Sequence, residues 1–303
     1  MKTILSLTLV LYLIGNSYGQ TSKSYVEKAD KKAENKDYKG AILDYNRAIA
    51  INSNNTEAYY RRGNTKVKLN DYDGAIADFS KVIETNPDDD YSFYNRGLAK
   101  KNLGDYQGAI IDLTKAIEIA PYEFKYYDSR ASVKIKLNDY RSAILDFSDA
   151  IEINPTESVY YFNRGFAKYT LEDYRGAVED LSKAIEFSPN VFHYYYFSGV
   201  TKKHLKKYRE SIIDFNKAIE IDSSNAKAYS QRGLSKYALE DYRGAIADNT
   251  MAIERDPKDD SAFYCRGISK IRLLMKDSGC LDLSKAGELG NEKAYEAIKS
   301  FCN

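Results

Sequence analysis

The residues able to do chemistry in this sequence are either few or strictly periodic. His193 and His204 are the only two histidines. They lie eleven residues apart, share a helix face only approximately, and have no Cys, Asp or Glu cluster at ligand spacing, so neither a metal site nor a general base is expected. There is no phosphate-cradling Gly loop, nucleophile elbow or zincin helix. The three cysteines, Cys265, Cys280 and Cys302, all fall near the C-terminus. Carboxylates are plentiful, but Asp44, Asp78, Asp112, Asp146, Asp180, Asp214, Asp248 and Asp282 recur every 34 residues without insertion or deletion. Cations follow the same period. Lys32, Lys66, Lys100, Lys134, Lys168, Lys202, Lys236 and Lys270 form one row, and Arg62, Arg96, Arg130, Arg164, Arg232 and Arg266 stand four residues ahead of theirs on the same helical face. Ser198 interrupts the arginine row. An active site normally breaks periodicity. These rows therefore read as a structural Arg-Asp-Lys ladder in preference to an anion-binding stripe, with Asp112 paired to Arg96 or to Arg130. No enzyme and no cofactor is expected.

A fixed 34-residue period means stacked supersecondary units. In residues 56–89, Ala58, Tyr59, Arg62, Gly63, Lys66 and Leu69 follow helical spacing, Asn70-Asp71 breaks it, and Tyr72, Ala75, Ile76, Phe79, Val82 and Ile83 resume it until Asn86-Pro87. Each unit is a helix hairpin. All five prolines, Pro87, Pro121, Pro155, Pro189 and Pro257, fall at one phase, where they open the turn into the next hairpin. Small residues at the Gly63 phase of the first helix face small residues at the Ala75 phase of the second, marking their closest approach. A third row, from Ala48 to Ala286, is the expected contact with the following unit. The units are 22–55, 56–89, 90–123, 124–157, 158–191, 192–225, 226–259 and 260–293, and one continuous core is expected.

The N-terminus obeys another logic. Lys2, an apolar run from Ile4 to Ile14, and Ser17 and Gly19 before a cut describe a signal peptide over 1–19, leaving Gln20 as the first mature residue. The run is shorter than the roughly 20 residues a membrane span needs. An exported, periplasmic or secreted chain follows, with no span after cleavage. Lys plus Arg number 45 against 44 Asp plus Glu, so no basic excess recruits nucleic acid.

Tyr59, Gly63, Tyr72, Ala75, Phe79, Val82 and Pro87, with Lys66 where a Tyr is common, make the chain resemble the tetratricopeptide repeat family in its exported bacterial form. The resemblance spans residues 22–293. The first unit departs with Ala29 for Gly, and the eighth has Lys276 for the turn Tyr. It implies an all-α, right-handed superhelical solenoid of eight hairpins. The run Lys285-Ala-Gly-Glu-Leu-Gly-Asn-Glu-Lys-Ala294 is similar to the junction of Sel1-like repeats. A final helix, in the segment 294–303 and starting near Glu292, would cap the stack. Pairing Cys280 with Cys302 would staple that cap and leave Cys265 free; three free thiols is the alternative.

The resemblance further implies a groove lined by first helices that holds an extended peptide. Carried over residue by residue, its positions are Tyr60, Asn64, Tyr91, Tyr94, Asn95, Leu98, Lys125, Phe162, Asn163, Phe166, Tyr196 and Phe197. Aromatics offer broad contact area and Asn can bond a peptide backbone. Tyr38, Tyr72, Tyr106, Tyr140, Tyr174, Tyr208 and Tyr242 are assigned to the core. Asn64, Asn95 and Lys125 match three places of the family's carboxylate clamp, but Tyr60 and Ser129 replace two of its cations, so chaperone docking is not expected. The implied function is a protein-binding scaffold, with a structural or oligomer-forming solenoid as the alternative.

Overall fold

The computed structural model describes residues 21–302, and the expected signal segment lies outside them. All regular structure in the described residues is helical. They cluster into two compact units divided between Ile153 and Asn154, at the end of the fourth repeat. The repeat period alone predicts one continuous core. In a solenoid each hairpin touches mainly its neighbours, so contacts thin at every junction.

The first unit contains α1 (21–34), α2 (Tyr38–Ile51), α3 (Thr56–Lys68), α4 (Tyr72–Thr85), α5 (Asp90–Leu103), α6 (Tyr106–Ile119), α7 (Phe124–Lys136) and α8 (Tyr140–Ile153). The second contains α9 (Ser158–Thr170), α10 (Tyr174–Phe187), α11 (Phe192–His204), α12 (Tyr208–Ile221), α13 (Ala226–Ala238), α14 (Tyr242–Arg255), α15 (Asp260–Arg272), α16 (Lys276–Glu288) and α17 (Glu292–Phe301). Within each unit successive helices pack as antiparallel hairpins, and the first helices of neighbouring repeats also touch. Those first helices form a wall of their own.

The turn inside each hairpin is a left-handed cap. Asn70 has φ 60°, its N–H donates to the Val67 carbonyl, and the N–H of Asp71 reaches back to Lys66. The Asp71 side chain then accepts from the N–H of Gly74 and so starts α4. One dipeptide ends a helix and caps the next.

The small rows allow the helices to approach. A Cβ on Gly267 would stand 2.9 Å from the carbonyl oxygen of Gly279, and one on Gly97 would stand 3.3 Å from that of Ala109. Ala48 packs with Ala58 of the next repeat, and Ala252 with Ala262. The tyrosines assigned to the core, Tyr72 and its counterparts, are only half-buried at the hairpin turns. The fully buried aromatics are instead Tyr45, Phe79, Tyr126, Phe147 and Phe215. A residue that opens a helix at a turn has packing neighbours on one side only.

At the C-terminus Cys280 and Cys302 are joined, with Cα atoms 5.8 Å apart, and Cys265 is free and buried. The bond ties α16 to the end of α17. That last helix runs Glu292–Phe301, starting where the sequence placed it, and buries Ala294 and Ala297.

Candidate functional site

The charge ladder holds the first helices in place. Arg96 donates from Nε to Oδ2 of Asp112 at 2.9 Å and from Nη2 to Oδ1 at 2.7 Å, and Lys100 sits 2.8 Å from Oδ2. Arg130 grips Asp146 in the same way. Each arginine therefore serves its own hairpin, which decides between the two partners open for Asp112. The third nitrogen does what the sequence did not suggest. Nη1 of Arg96 donates to Ser80 of the preceding repeat at 3.0 Å, that of Arg130 to Thr114 at 3.0 Å and that of Arg232 to Asn216 at 2.7 Å. A polar residue recurring at the Asn46 phase was the available signal. A planar fork with five donors can join two acceptors in this way, which an ammonium cannot.

On the first-helix wall of the first unit, Tyr60, Val82, Asn86 and Tyr91 help line a cleft of about 380 Å³. Asn95 donates to the Tyr60 hydroxyl at 3.1 Å, which orients both. Tyr94 lies on the buried Tyr126 ring at a centroid distance of 4.8 Å. Asn64 lines the adjoining cleft with Tyr60, and Leu98 sits half-buried one turn along α5 from Tyr94. Lys125 is already engaged: its Nζ lies 4.9 Å from the Tyr91 ring centre and 3.4 Å from Glu123. Its charge is shared among rings and a carboxylate.

The second unit carries the denser group. Phe162 stands 5.0 Å from Tyr194 and 5.6 Å from Phe197 by ring centroids, Phe166 stands 5.4 Å from Phe197, and Tyr196 stands 5.5 Å from Phe197. Asn163 lies half-buried on the same helix as the two phenylalanines. Residues outside the expected set, Tyr169, Lys203, His204 and Gln231, complete the surface. Tyr169 meets His204, whose Nε2 is 3.1 Å from the Tyr169 hydroxyl and whose ring stacks on Tyr174 at 4.8 Å. Lys203 donates to Gln231. Tyr169, Tyr196, Phe197, Lys203, His204 and Gln231 belong to one cleft of about 440 Å³. Burial lowers the pKa of Lys203. Burial, followed by the neighbouring Lys203 charge, lowers that of His204. Tyr169 follows Phe166 by one helical step, a spacing that could have included it. Lys203 points inward only because of how α11 packs on α13.

These clefts offer aromatic area with a few fixed donors and acceptors, which suits an extended polypeptide. Among the described residues no group of three or more His, Cys, Asp or Glu is placed to hold a metal ion, and no helix is long and apolar enough to cross a membrane.

Tetratricopeptide repeat models match residues 56–89 and residues 91–123, 124–157, 159–191 and 192–225, and a TPR repeat model matches 29–70. Among solved structures, the C-terminal part of a TPR repeat-containing protein from Cytophaga hutchinsonii is similar at TM-score 0.68 and 18% identity, covering 79% of this chain and 99% of that one. A tetratricopeptide repeat protein from Parabacteroides merdae aligns at TM-score 0.58 and 21% identity, covering 82% of this chain and 99% of that one. YrrB, described as a TPR protein with an unusual peptide-binding site, aligns at TM-score 0.56 and 21% identity, over 62% of this chain and 97% of its own. At such identities the likeness is one of fold. No curated protein matches the chain.

Proposed function

The chain belongs to the tetratricopeptide repeat family, and on that premise we propose that it is a non-catalytic scaffold holding an extended segment of a partner protein against its first helices. The observation that carries this reading is the half-open aromatic surface of Phe162, Phe166, Tyr196 and Phe197. A purely structural hairpin stack has no need to leave such rings partly in water. The peptide-binding site of YrrB supports the same class of ligand for this fold. Export to an envelope or extracellular space belongs to the proposal. It is supported by the Ile4–Ile14 run and by a cysteine pair suited to an oxidising compartment, and the Sel1-like end is part of the same reading.

The test is capture of partners by the mature chain, with wild type compared against Tyr91→Ala combined with Tyr196→Ala. A partner retained by wild type and lost by the folded double variant supports the scaffold. Equal capture by both would sink the groove reading. Mass spectrometry of the exported chain should find Gln20 at its N-terminus.

A second reading has its own observation. Leu43, Ile111, Leu145, Ile213 and Leu281 are 59%, 69%, 66%, 62% and 72% exposed at one phase of the second helices. Such a row could hold copies of the chain together. Light scattering would favour this reading if wild type self-associates and Ile111→Asp with Leu145→Asp does not.

A further inference from the structure

Six repeats of this protein seat an arginine, and the sixth repeat keeps the seat without the arginine. The seat has three walls: the aspartate of the same repeat, a short polar residue of the preceding repeat, and the ring three positions before the arginine. In the seventh repeat these are Asp248, Asn216 and Tyr229, whose ring centre lies 5.4 Å from the Arg232 guanidinium carbon. The sixth repeat has all three, as Asp214, Ser182 and Tyr195, but Ser198 stands in the arginine row.

The hydrogen bonds show what is missing. Ser198 Oγ donates to Asp214 Oδ2 at 2.7 Å, and Lys202 Nζ approaches the same oxygen at 2.7 Å. Among the described residues no donor reaches Oδ1, the oxygen that takes Nη2 at 2.6 Å in the seventh repeat. The Asp214 side chain is nevertheless only 9% exposed. Ser182 Oγ donates to the Val178 carbonyl, as Ser80 does to Ile76, but Ser80 also accepts from Arg96 and Ser182 accepts from nothing among the described residues. Ser182 is exposed, whereas Ser80, Thr114 and Thr250 are half-buried at the positions their arginines reach.

The first repeat supplies an internal control. Lys28 occupies its arginine row, and there Arg47 swings across to donate Nη1 to Asp44 Oδ1 at 2.5 Å. There a guanidinium from elsewhere in the chain takes the aspartate oxygen that the missing arginine leaves open. The counterpart of Arg47 in the sixth repeat is Lys217, which is bound to Glu220 at 2.6 Å.

We propose that the seat formed by Asp214, Ser182 and Tyr195 binds an arginine side chain of a partner polypeptide. The guanidinium donates to Asp214 Oδ1 and Ser182 Oγ and lies over the Tyr195 ring, reproducing the contacts of Arg232 one repeat later. Lysine is a poor substitute, since one ammonium cannot span the two acceptors while stacking flat. The seat does not depend on the groove reading, because it rests on comparison among the repeats themselves.

The test is an NMR titration of the full mature chain with arginine capped at both ends, free arginine, and capped lysine. Saturable shifts at Ser198, Ser182 and the Tyr195 ring are expected with capped arginine, and several-fold weaker ones with capped lysine. Free arginine binding better than capped arginine would overturn the polypeptide source and point to a small-molecule ligand. Ser198→Arg, which places the chain's own guanidinium in the seat, should abolish the response. The exposed Ser182→Ala should weaken it several-fold without disturbing the fold. Equal shifts by both capped probes, no saturable shift, or a wild-type response in either variant would overturn the proposal.

Discussion

Arg96 holds Asp112 with two of its three guanidinium nitrogens, at 2.9 and 2.7 Å, and turns the third to the preceding repeat. Asp112 is 1% exposed, so this carboxylate exists inside the protein only because two cations compensate it. Removing one partner of a buried pair leaves the other unpaired, and Asp112→Ala is expected to destabilise the first unit by about 3–5 kcal/mol in urea unfolding. A double-mutant cycle should give a coupling of about 1–3 kcal/mol between Asp112 and Arg96 and none between Asp112 and Arg130.

Gly267→Ala places a Cβ 2.9 Å from the backbone carbonyl of Gly279, a neighbour that cannot rotate away. A loss of about 1–3 kcal/mol is expected, read as a lower Tm. Gly104 is the contrast. It has φ 83° and open space around a would-be Cβ, and Asn occupies the equivalent left-handed position at Asn70 and Asn138. Gly104→Asn should therefore leave Tm nearly unchanged.

Asn249 stands in the core row that carries Leu113, Leu181 and Leu283 in other repeats, and its Oδ1 is buried without a partner. Leaving such an atom unsatisfied costs about 1–3 kcal/mol. Asn249→Leu is expected to raise Tm, and a fall in Tm would count against this account.

Cys280 and Cys302 close a loop over 22 residues. By loop-closure entropy their bond is worth about 3 kcal/mol against unfolding of the C-terminal cap. Reduction, or Cys302→Ser, should speed amide exchange in α17 and leave that of the first unit unchanged. Thiol counting on the unreduced protein should give one free thiol.

His204 supplies a pH dependence whose sign follows from its surroundings. Burial and then Lys203 hold its pKa below the ordinary 6.5, with Glu172 acting weakly the other way. The unfolded chain thus takes up the proton first as pH falls. Stability from this group is complete above pH 6.5 and declines below it, until the folded protein also titrates. Wild type should lose Tm over that window more steeply than His204→Gln.

The sequence alone determined the hairpins, their boundaries, the closest-approach rows and the existence of a charge ladder. Each of these is a matter of period and local backbone chemistry: Pro87 opens a turn and Asp71 caps a helix whatever lies beyond them. The turns show where local preference ends, since Lys206, Glu240 and Leu274 adopt φ near 60° without any preference for it. There the two capping hydrogen bonds and the packing of the hairpin impose the conformation. Only the tertiary structure decided which arginine meets Asp112, because a 34-residue period places two candidates at one phase and cannot choose between neighbours. It also decided that Arg47 fills the gap in the first repeat while Lys217 does not in the sixth, and that Lys203 and His204 join the aromatic surface. Those outcomes depend on how far a side chain reaches once its helix has docked, a distance that spacing along the chain does not contain.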